Sequence, residues 1–217
     1  MSLVLTAEDL AVERGGRVLF SGLSFKAGAG EAVTLTGPNG VGKTTLLRAL
    51  AGFCPITAGS VVLTDQAGDE REMAANCHFI GHANALKSAL TVNENAFFWA
   101  RYLGQNTTKV ERVLQRFALA ELTHIPAGYL SAGQKRRLAL SRLMLAERPV
   151  WLLDEPTVSL DAASTAMLAS VVNDHVAAGG IVIAATHIPL GLASPNELRL
   201  AAAGSASQVE AGVAAIT

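Results

Sequence analysis

The chain has 217 residues, which suits one large domain or two small ones. Its 17 basic and 18 acidic residues give a formal net charge of -1, which excludes a protein that holds nucleic acid through a bulk positive surface. Hydrophobic residues make up 50% and mean hydropathy is +0.35. The uncharged window Gly179–Asn196 is nevertheless broken by glycines, prolines and a histidine. We therefore expect no membrane-spanning helix and no secretory leader, and the two cysteines indicate a reducing compartment.

Turn signals and apolar runs alternate along the chain and predict an ordered set of elements. A hairpin, short strands and one helix after a Gly-rich turn are predicted at Leu3–Arg14, Val18–Phe25, Ala32–Thr36, Lys43–Ala51, Val61–Thr64 and Cys77–Ile80. Helices follow at Thr91–Tyr102, Thr108–Phe117 and from Ser131. A strand, a helix and the last strong strand come at Val150–Leu153, Asp161–Ala178 and Ile181–Ala185. This order predicts an α/β fold into which a helical subdomain is inserted.

A glycine-rich motif follows the third predicted strand. Residues 37–44 match G-x-x-x-x-G-K-[ST], with a strand before the motif and a helix after it. Glycines let backbone N–H groups approach phosphate oxygens, and the helix N-terminus adds its positive dipole end. Lys43 is expected at the β- and γ-phosphates, the Thr44 hydroxyl on Mg²⁺ and Thr45 on a phosphate. The predicted nucleotide-binding residues here are Gly37, Pro38, Asn39, Gly40, Val41, Gly42, Lys43, Thr44 and Thr45.

The apolar strand at Val150–Leu153 ends in two carboxylates. Asp154 is expected to hold Mg²⁺ or its waters opposite Thr44. Glu155 suits the polarisation of an attacking water. An acidic pair that merely caps the next turn is the alternative, and the phosphate-binding motif in the same chain favours the catalytic interpretation.

Further motifs carry a family resemblance. Leu130–Gln134 opens a helix with Ser131 and Gly133 at an end that can bind an anion, where Ser131 also suits an N-cap. Together with Ser159–Asp161 and a strand-closing His187, the set resembles the ATP-binding-cassette (ABC) ATPase family over about residues 3–200. The resemblance implies a single α/β domain over 1–217, a P-loop NTPase of ABC type with an antiparallel β subdomain and an inserted helical subdomain. The P-loop core with its β subdomain would cover about 1–86 and 149–217, and the helical signature subdomain about 87–148.

The resemblance also implies partners and roles. ABC ATPases act as homodimers that sandwich two ATP molecules head to tail, with ATP and Mg²⁺ as the bound groups. Each ATP would contact the P-loop of one chain and the signature residues of the other, here Ser131, Ala132, Gly133 and Gln134. Glu155 would be the general base, His187 would contact the γ-phosphate, and Asp161 would communicate across the interface. For His187, a strand-end core histidine is the alternative.

Two positions depart from the general ABC pattern. Arg14 stands where ABC ATPases usually carry an aromatic residue, so adenine is expected to stack on the Arg14 guanidinium or on Phe20. His82 stands where a glutamine is usual, and its imidazole is expected to bind water or metal in the catalytic site. A two-histidine metal or heme site with His78 is an open alternative. The remaining His124 and His175 are expected on solvated helix faces.

Several segments resemble one branch of the family, the cytochrome c biogenesis ATP-binding export proteins, also called heme exporter protein A. The segments are Glu13–Phe20, Ile80–His82, Leu130–Arg137, Gly180–Val182 and Thr186–Leu190. The resemblance implies a peripheral ATPase subunit on the cytoplasmic face of the bacterial inner membrane. Integral-membrane permease subunits would be its partners, nucleic acid would not, and heme would be handled by the complex rather than bound by this chain. An ABC transporter with different cargo is the first alternative. A soluble ABC ATPase acting on nucleic acid is the second, although the chain has no heptad run and a net charge of -1.

Three side-chain groups have open interpretations. Phe97, Phe98, Trp99 and Tyr102 form either a docking surface for membrane subunits or a core stripe with Phe98 and Tyr102 packed inward. Cys54 and Cys77 are expected to be small buried hydrophobic residues, with heme–thiolate ligation as the alternative. The helix that starts at Ser131 is expected to present a partly charged face through Arg136, Arg137 and Arg142.

Overall fold

A computed structural model describes residues 3–187, 190–201 and 208–210, the last three by their backbone. The strands are β1 (Val4–Arg14), β2 (Arg17–Gly28), β3 (Ala32–Thr36), β4 (Ala58–Thr64), β5 (Glu70–Arg71), β6 (Cys77–Ile80), β7 (Val150–Asp154), β8 (Ile181–Ala185), β9 (Asn196–Arg199) and β10 (Gln208–Glu210). The α-helices are α1 (Lys43–Leu50), α2 (Met73–Asn76), α3 (Val92–Tyr102), α4 (Val110–Arg116), α5 (Ala132–Leu145) and α6 (Ala162–Ala177).

An antiparallel sheet with the order β2-β1-β4-β5 contains the predicted N-terminal hairpin. The hairpin closes through Gly15 and Gly16, whose φ angles of 61° and 76° suit the tight turns that match strand twist. Arg14 pairs with Arg17 across this turn, and both side chains are exposed. The turn therefore presents Arg14 at the outer tip of the sheet.

The second sheet has the order β10-β9-β3-β8-β7-β6 and is parallel from β9 to β6. Every residue of β7 and β8 is buried, as expected for parallel strands that are covered on both faces. Because the strands run in one direction, the segments after β3, β6, β7 and β8 meet at one edge. These segments carry the glycine-rich motif, His82, the two carboxylates and His187.

Two apolar clusters hold the layers together. One joins the antiparallel sheet and α1 to one face of the parallel sheet, through residues such as Phe25, Leu46 and Leu152. The other joins the opposite face to the helices, through residues such as Phe117 and Leu143. Helices α3, α4 and α5 all lie within the predicted helical subdomain of 87–148. The division of the chain into subdomains stays a prediction.

Several expectations about individual elements are wrong. Two short strands that were not predicted follow β8: β9 pairs parallel with β3 and β10 pairs antiparallel with β9. His175 is half-buried and stacks on Trp151 with ring centroids 3.7 Å apart, and the exposed His124 lies in a turn. The charged face predicted for α5 is also wrong in part, since Arg136 and Arg142 are only 3% and 6% exposed.

The helix predicted to begin at Thr91 is confirmed as α3. Thr91 caps α3 and exchanges bonds with Glu94 in a capping box. Both cysteines are free thiols that belong to or pack against the first apolar cluster, Cys77 buried and Cys54 half-buried. Across the ranges that the structure describes, every helix is too short or too polar to span a lipid bilayer.

Candidate functional site

The glycine-rich loop between β3 and α1 adopts backbone conformations that require its glycines. Gly37, Gly40 and Gly42 have φ angles of 131°, 79° and 114°. A Cβ atom on Gly37 would lie 2.5 Å from the Leu200 carbonyl oxygen. Gly42 caps α1 and packs closely against Phe20. A Cβ atom added to Gly42 would lie 3.2 Å from a carbon of the Phe20 ring. The loop therefore exposes backbone N–H groups at the start of a helix, an arrangement that binds anions.

Lys43 is folded back onto this loop. Its Nζ donates to the carbonyl oxygens of Gly37 at 2.7 Å and Pro38 at 3.2 Å, and the residue is 8% exposed. Thr45, the third residue of α1, is buried beside it. An ammonium held within a glycine-rich loop is positioned to contact phosphate oxygens that enter the loop.

Thr44 of the P-loop contacts Asp154 at the end of β7, as predicted. The Thr44 Oγ1 donates to the Asp154 Oδ1 at 3.0 Å, and Asp154 is 4% exposed. Hard oxygen ligands of this kind suit Mg²⁺. Among the described residues no group of three or more His, Cys, Asp or Glu side chains could hold a metal. The Thr44 hydroxyl and the Asp154 carboxylate are two oxygen ligands that fit a Mg²⁺ ion whose other ligands are phosphate and water.

Glu155 and His187 form the next pair. Glu155 has a left-handed backbone with φ of 46°, and its N–H donates to the Ala185 carbonyl oxygen at 2.8 Å. Its Oε1 lies 3.4 Å from the His187 Nε2, and its Oε2 accepts from the His187 backbone N–H at 3.4 Å. A carboxylate and an imidazole thus stand together at the edge where the P-loop opens. His187 is exposed and contacts Glu155, so the alternative in which it is a core histidine is wrong.

The signature residues surround the start of α5. Ser131 caps the helix, accepting from the Gln134 N–H while the Gln134 Oε1 accepts from the Ser131 N–H. Ser131 and Ala132 are exposed. A Cβ on Gly133 would lie 2.9 Å from the Ser159 carbonyl oxygen, so the signature touches the segment that ends at Asp161. Asp161 caps α6 through a bond from the Ser164 N–H, which helps to lower the pKa of its carboxyl.

Three residues considered for the site, His82, His78 and Phe20, lie in different environments. His82 is exposed on the loop after β6, and within the described part of the chain it forms no hydrogen bond or ion pair. His78 is buried instead, with its Nε2 3.0 Å from the Ala146 carbonyl oxygen, so the two histidines do not share an environment. Phe20 is 1% exposed in the core and cannot stack on adenine, while the role of Arg14 stays a prediction.

One residue of the site is absent from the sequence-based prediction. The guanidinium of Arg136, on α5, donates to the carbonyl oxygens of Asp154 and Glu155 at 3.1 and 2.8 Å. Burial lowers its pKa, while the two neighbouring carboxylates raise it. An arginine two positions after Gln134 gives no signal that its side chain turns toward the sheet rather than toward solvent.

Comparison with known proteins agrees with this site. The sequence pattern of the ABC transporter family matches residues 20–158. The cytochrome c biogenesis ATP-binding export protein CcmA of Chelativorans sp. is 48% identical over 91% of this chain and 98% of its own length. Its counterpart in Mesorhizobium japonicum is 47% identical over 92% of this chain and 99% of its own length. The chain belongs to the CcmA branch of the ABC transporter family. A solved ABC ATP-binding subunit shares the fold, with a TM-score of 0.81 and 22% identity over 95% of this chain and 90% of its own.

Membership in the ABC family identifies ATP as the nucleotide that this chain binds. The chain is therefore an ATP-binding subunit whose ATPase activity is coupled to transport. The α/β fold with an antiparallel sheet and a parallel sheet is confirmed.

Proposed function

We propose that the chain is the ATP-hydrolysing subunit of a membrane complex for heme export in c-type cytochrome biogenesis. The observation that carries this proposal is the identity of 48% with a CcmA protein over nearly the whole of both chains. The contact between Thr44 and Asp154 at 3.0 Å supports the ATPase half of the proposal, because it joins the P-loop to the strand-end carboxylates.

ATP binding would begin with the phosphates. The backbone N–H groups of the glycine-rich loop and the N-terminus of α1 would bind the β- and γ-phosphates. Lys43 would exchange its bonds to the Gly37 and Pro38 carbonyl oxygens for bonds to phosphate. Arg14 would lie over the adenine, since a guanidinium plane stacks on aromatic rings.

Thr44 and Asp154 would hold Mg²⁺, and His82 would contribute a water or metal contact once its loop approaches the nucleotide. The ion would neutralise charge that develops on the phosphate oxygens. Glu155 would take the proton from the attacking water, and its bonds to His187 would keep its carboxylate aimed at that water. His187 would contact the γ-phosphate.

The exposed start of α5 supports a head-to-tail homodimer. Ser131, Ala132, Gly133 and Gln134 lie at the N-terminus of a 14-residue helix, where the dipole favours an anion. These residues would contact the γ-phosphate held by the partner, and Asp161 would lie at the interface. Each of the two ATP molecules would then be enclosed by both chains.

An aromatic patch on α3, formed by Phe98, Trp99 and Tyr102, would bind the membrane subunits. Phe98 and Tyr102 are 37% and 70% exposed, so the alternative in which they pack inward is wrong. Their rings stack at 6.0 Å, and Lys87 lies 4.7 Å above Phe98. Exposed aromatic residues are frequent anchors of protein interfaces. Docking here would place the chain peripherally on the cytoplasmic face of the inner membrane, with heme handled by the complex rather than by this chain.

The proposal is tested by complementation of a bacterial strain that lacks this chain. The wild-type chain should restore c-type cytochromes, measured as covalently bound heme on denaturing gels. Lys43→Ala should restore none, because the phosphates lose their principal cation. Restoration by Lys43→Ala would refute a role for ATP turnover, and failure of the wild-type chain would refute the cytochrome role.

A further inference from the structure

Arg136 connects three segments of the ATP site that are distant in sequence. The residue lies on α5, two positions after Gln134, and is 3% exposed. Its Nε donates to the Pro156 carbonyl oxygen at 3.1 Å, and its Nη2 donates to the carbonyl oxygens of Asp154 and Glu155. Its Nη1 donates to the Gly81 carbonyl oxygen at 2.8 Å and to the Asn84 Oδ1 at 3.3 Å.

These bonds use the whole donor capacity of the side chain. A guanidinium has five N–H groups in a planar fork, and the five acceptors around Arg136 match that number. A lysine has three donors on a single nitrogen and cannot reproduce the fork. Glutamine has two. The site is therefore specific for arginine.

The first consequence concerns Glu155. Its left-handed backbone, with φ of 46°, is a conformation that persists only when surrounding contacts enforce it. Arg136 bonds to the carbonyl oxygens of Glu155 and of both its neighbours, and the Ala185 carbonyl oxygen accepts from the Glu155 N–H. Arg136 thus fixes the turn that aims the Glu155 carboxylate at His187.

The second consequence concerns the loop after β6. Gly81 and Asn84, which accept from Arg136, stand on either side of His82. The same guanidinium therefore fixes the loop that carries His82 and the turn that carries Glu155. Because Arg136 belongs to the helix that begins with the signature, a shift of α5 would move both segments.

We infer that Arg136 is a positioning residue for ATP hydrolysis, which couples the signature helix α5 to the orientation of Glu155 and of the His82 loop. The inference rests on the proposed role of Glu155 as general base. ATP binding is assigned to other residues, so loss of Arg136 should lower kcat and leave nucleotide affinity unchanged.

The test compares Arg136→Lys with Arg137→Lys in the full-length chain, within the complex in which the wild-type chain hydrolyses ATP. Arg137 is the matched control, since its Nη1 also donates to two carbonyl oxygens, those of Phe117 and Ala118, away from Glu155. Arg136→Lys should lower kcat by about 10- to 100-fold, the scale of a displaced catalytic group, with KM and ATP affinity unchanged. Arg137→Lys should keep kcat within about 2-fold. A wild-type kcat for Arg136→Lys would overturn the inference.

A double-mutant cycle separates positioning from a general loss of structure. If Arg136 acts largely through Glu155, Arg136→Lys should cause a clearly smaller loss of kcat in a Glu155→Gln background than in the wild-type chain. A full additional loss there would overturn the inference. If Glu155→Gln alone keeps the wild-type rate, the proposed role of Glu155 fails, and this inference fails with it. If Glu155→Gln is slow and Arg136→Lys is normal, only this inference fails.

Asn84→Ala provides a second variant if Arg136→Lys does not fold. Asn84 is half-buried in a loop, and its removal takes away one acceptor of Arg136. It should lower kcat several-fold, leave ATP affinity unchanged and be non-additive with Glu155→Gln. A wild-type kcat for Asn84→Ala would then overturn the coupling to the His82 loop and with it the inference.

Discussion

Glu155, the proposed general base, is held in place through both its side chain and its backbone. Its carboxylate is held by two contacts with His187, and its backbone by Ala185 and Arg136. The residue is therefore oriented before any nucleotide arrives. Pre-orientation of this kind favours a general base, because the proton-accepting oxygen needs no reorganisation when water attacks.

We predict that Glu155→Gln lowers kcat by about 10²- to 10⁴-fold, the usual contribution of a general base. The amide has the same shape, so ATP should bind normally and a nucleotide-bound dimer should accumulate. Phosphate release and size-exclusion chromatography with ATP would measure the two effects. Glu147→Gln is the control, because Glu147 is an exposed carboxylate that pairs with Lys109. Wild-type turnover by Glu155→Gln would exclude the residue as the base.

Motif residues could be assigned from sequence because each follows a strand whose end is fixed by the parallel sheet. Thr44, Asp154 and Glu155 come together for that reason. Arg136 could not be assigned, because helical periodicity counts a charged residue as solvent-facing. The carbonyl oxygens of Asp154, Glu155 and Pro156 that accept from it come together beside α5 only in the folded chain. The burial of Arg142 could not be predicted for the same reason. Its guanidinium lies 4.4 Å from the centre of the Trp99 ring.

At the scale of elements, two histidines join the amino ends of β6 and β7 to the helices. His78 contacts the Ala146 carbonyl oxygen, and His175 contacts that of Pro149 at 3.2 Å while stacking on Trp151. A Cβ on Gly180 would lie 2.1 Å from the His175 Nε2, so glycine makes room for this ring. Burial lowers the pKa of both histidines from 6.5 to about 4. Both therefore pack as neutral imidazoles.

We predict that acid destabilises the fold between pH 6.5 and about 4 through these two side chains. In that window the unfolded chain binds protons that the folded chain excludes, so the unfolding free energy is highest above pH 6.5 and falls as the pH falls. The loss is up to about 3 kcal/mol per histidine, at ~1.4 kcal/mol per pKa unit. Urea unfolding at several pH values would measure it. His175→Phe keeps a ring against Trp151 without a titrating group, and it should reduce the pH dependence. An unchanged pH dependence in this variant would contradict the assignment.

The sequence predicts a strand or helix where its hydropathy pattern or its capping residues are distinct. The hairpin, the capped α3 and the apolar β7 and β8 follow from alternation, a capping box and continuous apolar runs. β9 was not predicted because its sequence, Asn-Glu-Leu-Arg, has a single apolar residue, and β10 has only three residues, too few for a periodic signal. Their pairing depends on the exposed edge of β3, which is a tertiary feature.

At the scale of the whole molecule, the proposed docking surface for the membrane subunits can be tested apart from ATP binding. The α3 aromatic patch includes Phe98 and Tyr102, and their replacement by serine should prevent recovery of the chain with its membrane subunits while ATP binding is retained. The physical reason is that exposed aromatic rings supply most of the buried area of an interface anchor. Affinity purification from solubilised membranes would measure recovery. Tyr129→Ser is the control, because Tyr129 is 84% exposed but lies outside the patch. Normal recovery of the double variant would exclude the patch as the docking site.

The high mean hydropathy of +0.35 has a partial explanation in the fold. β7 and β8 are buried on both faces, so their residues are apolar throughout except for Asp154. Interfaces with a second copy and with membrane subunits would cover further apolar area. In the proposed isologous dimer the same two surfaces would meet twice, so each ATP site would combine the P-loop of one chain with the signature of the other.

This geometry predicts complementation between two inactive variants. Lys43→Ala damages the P-loop, and Ser131→Arg places a bulky cation in the signature, so each homodimer should lack turnover. A mixed dimer has one doubly damaged site and one intact site. Equal mixtures should therefore recover roughly a quarter of wild-type activity, since about half of the dimers are mixed and half of their sites are intact. Tagging one variant and measuring the ATPase activity of the co-purified mixed dimer would test this. A mixed dimer that forms in the presence of ATP but has no activity would contradict the head-to-tail arrangement.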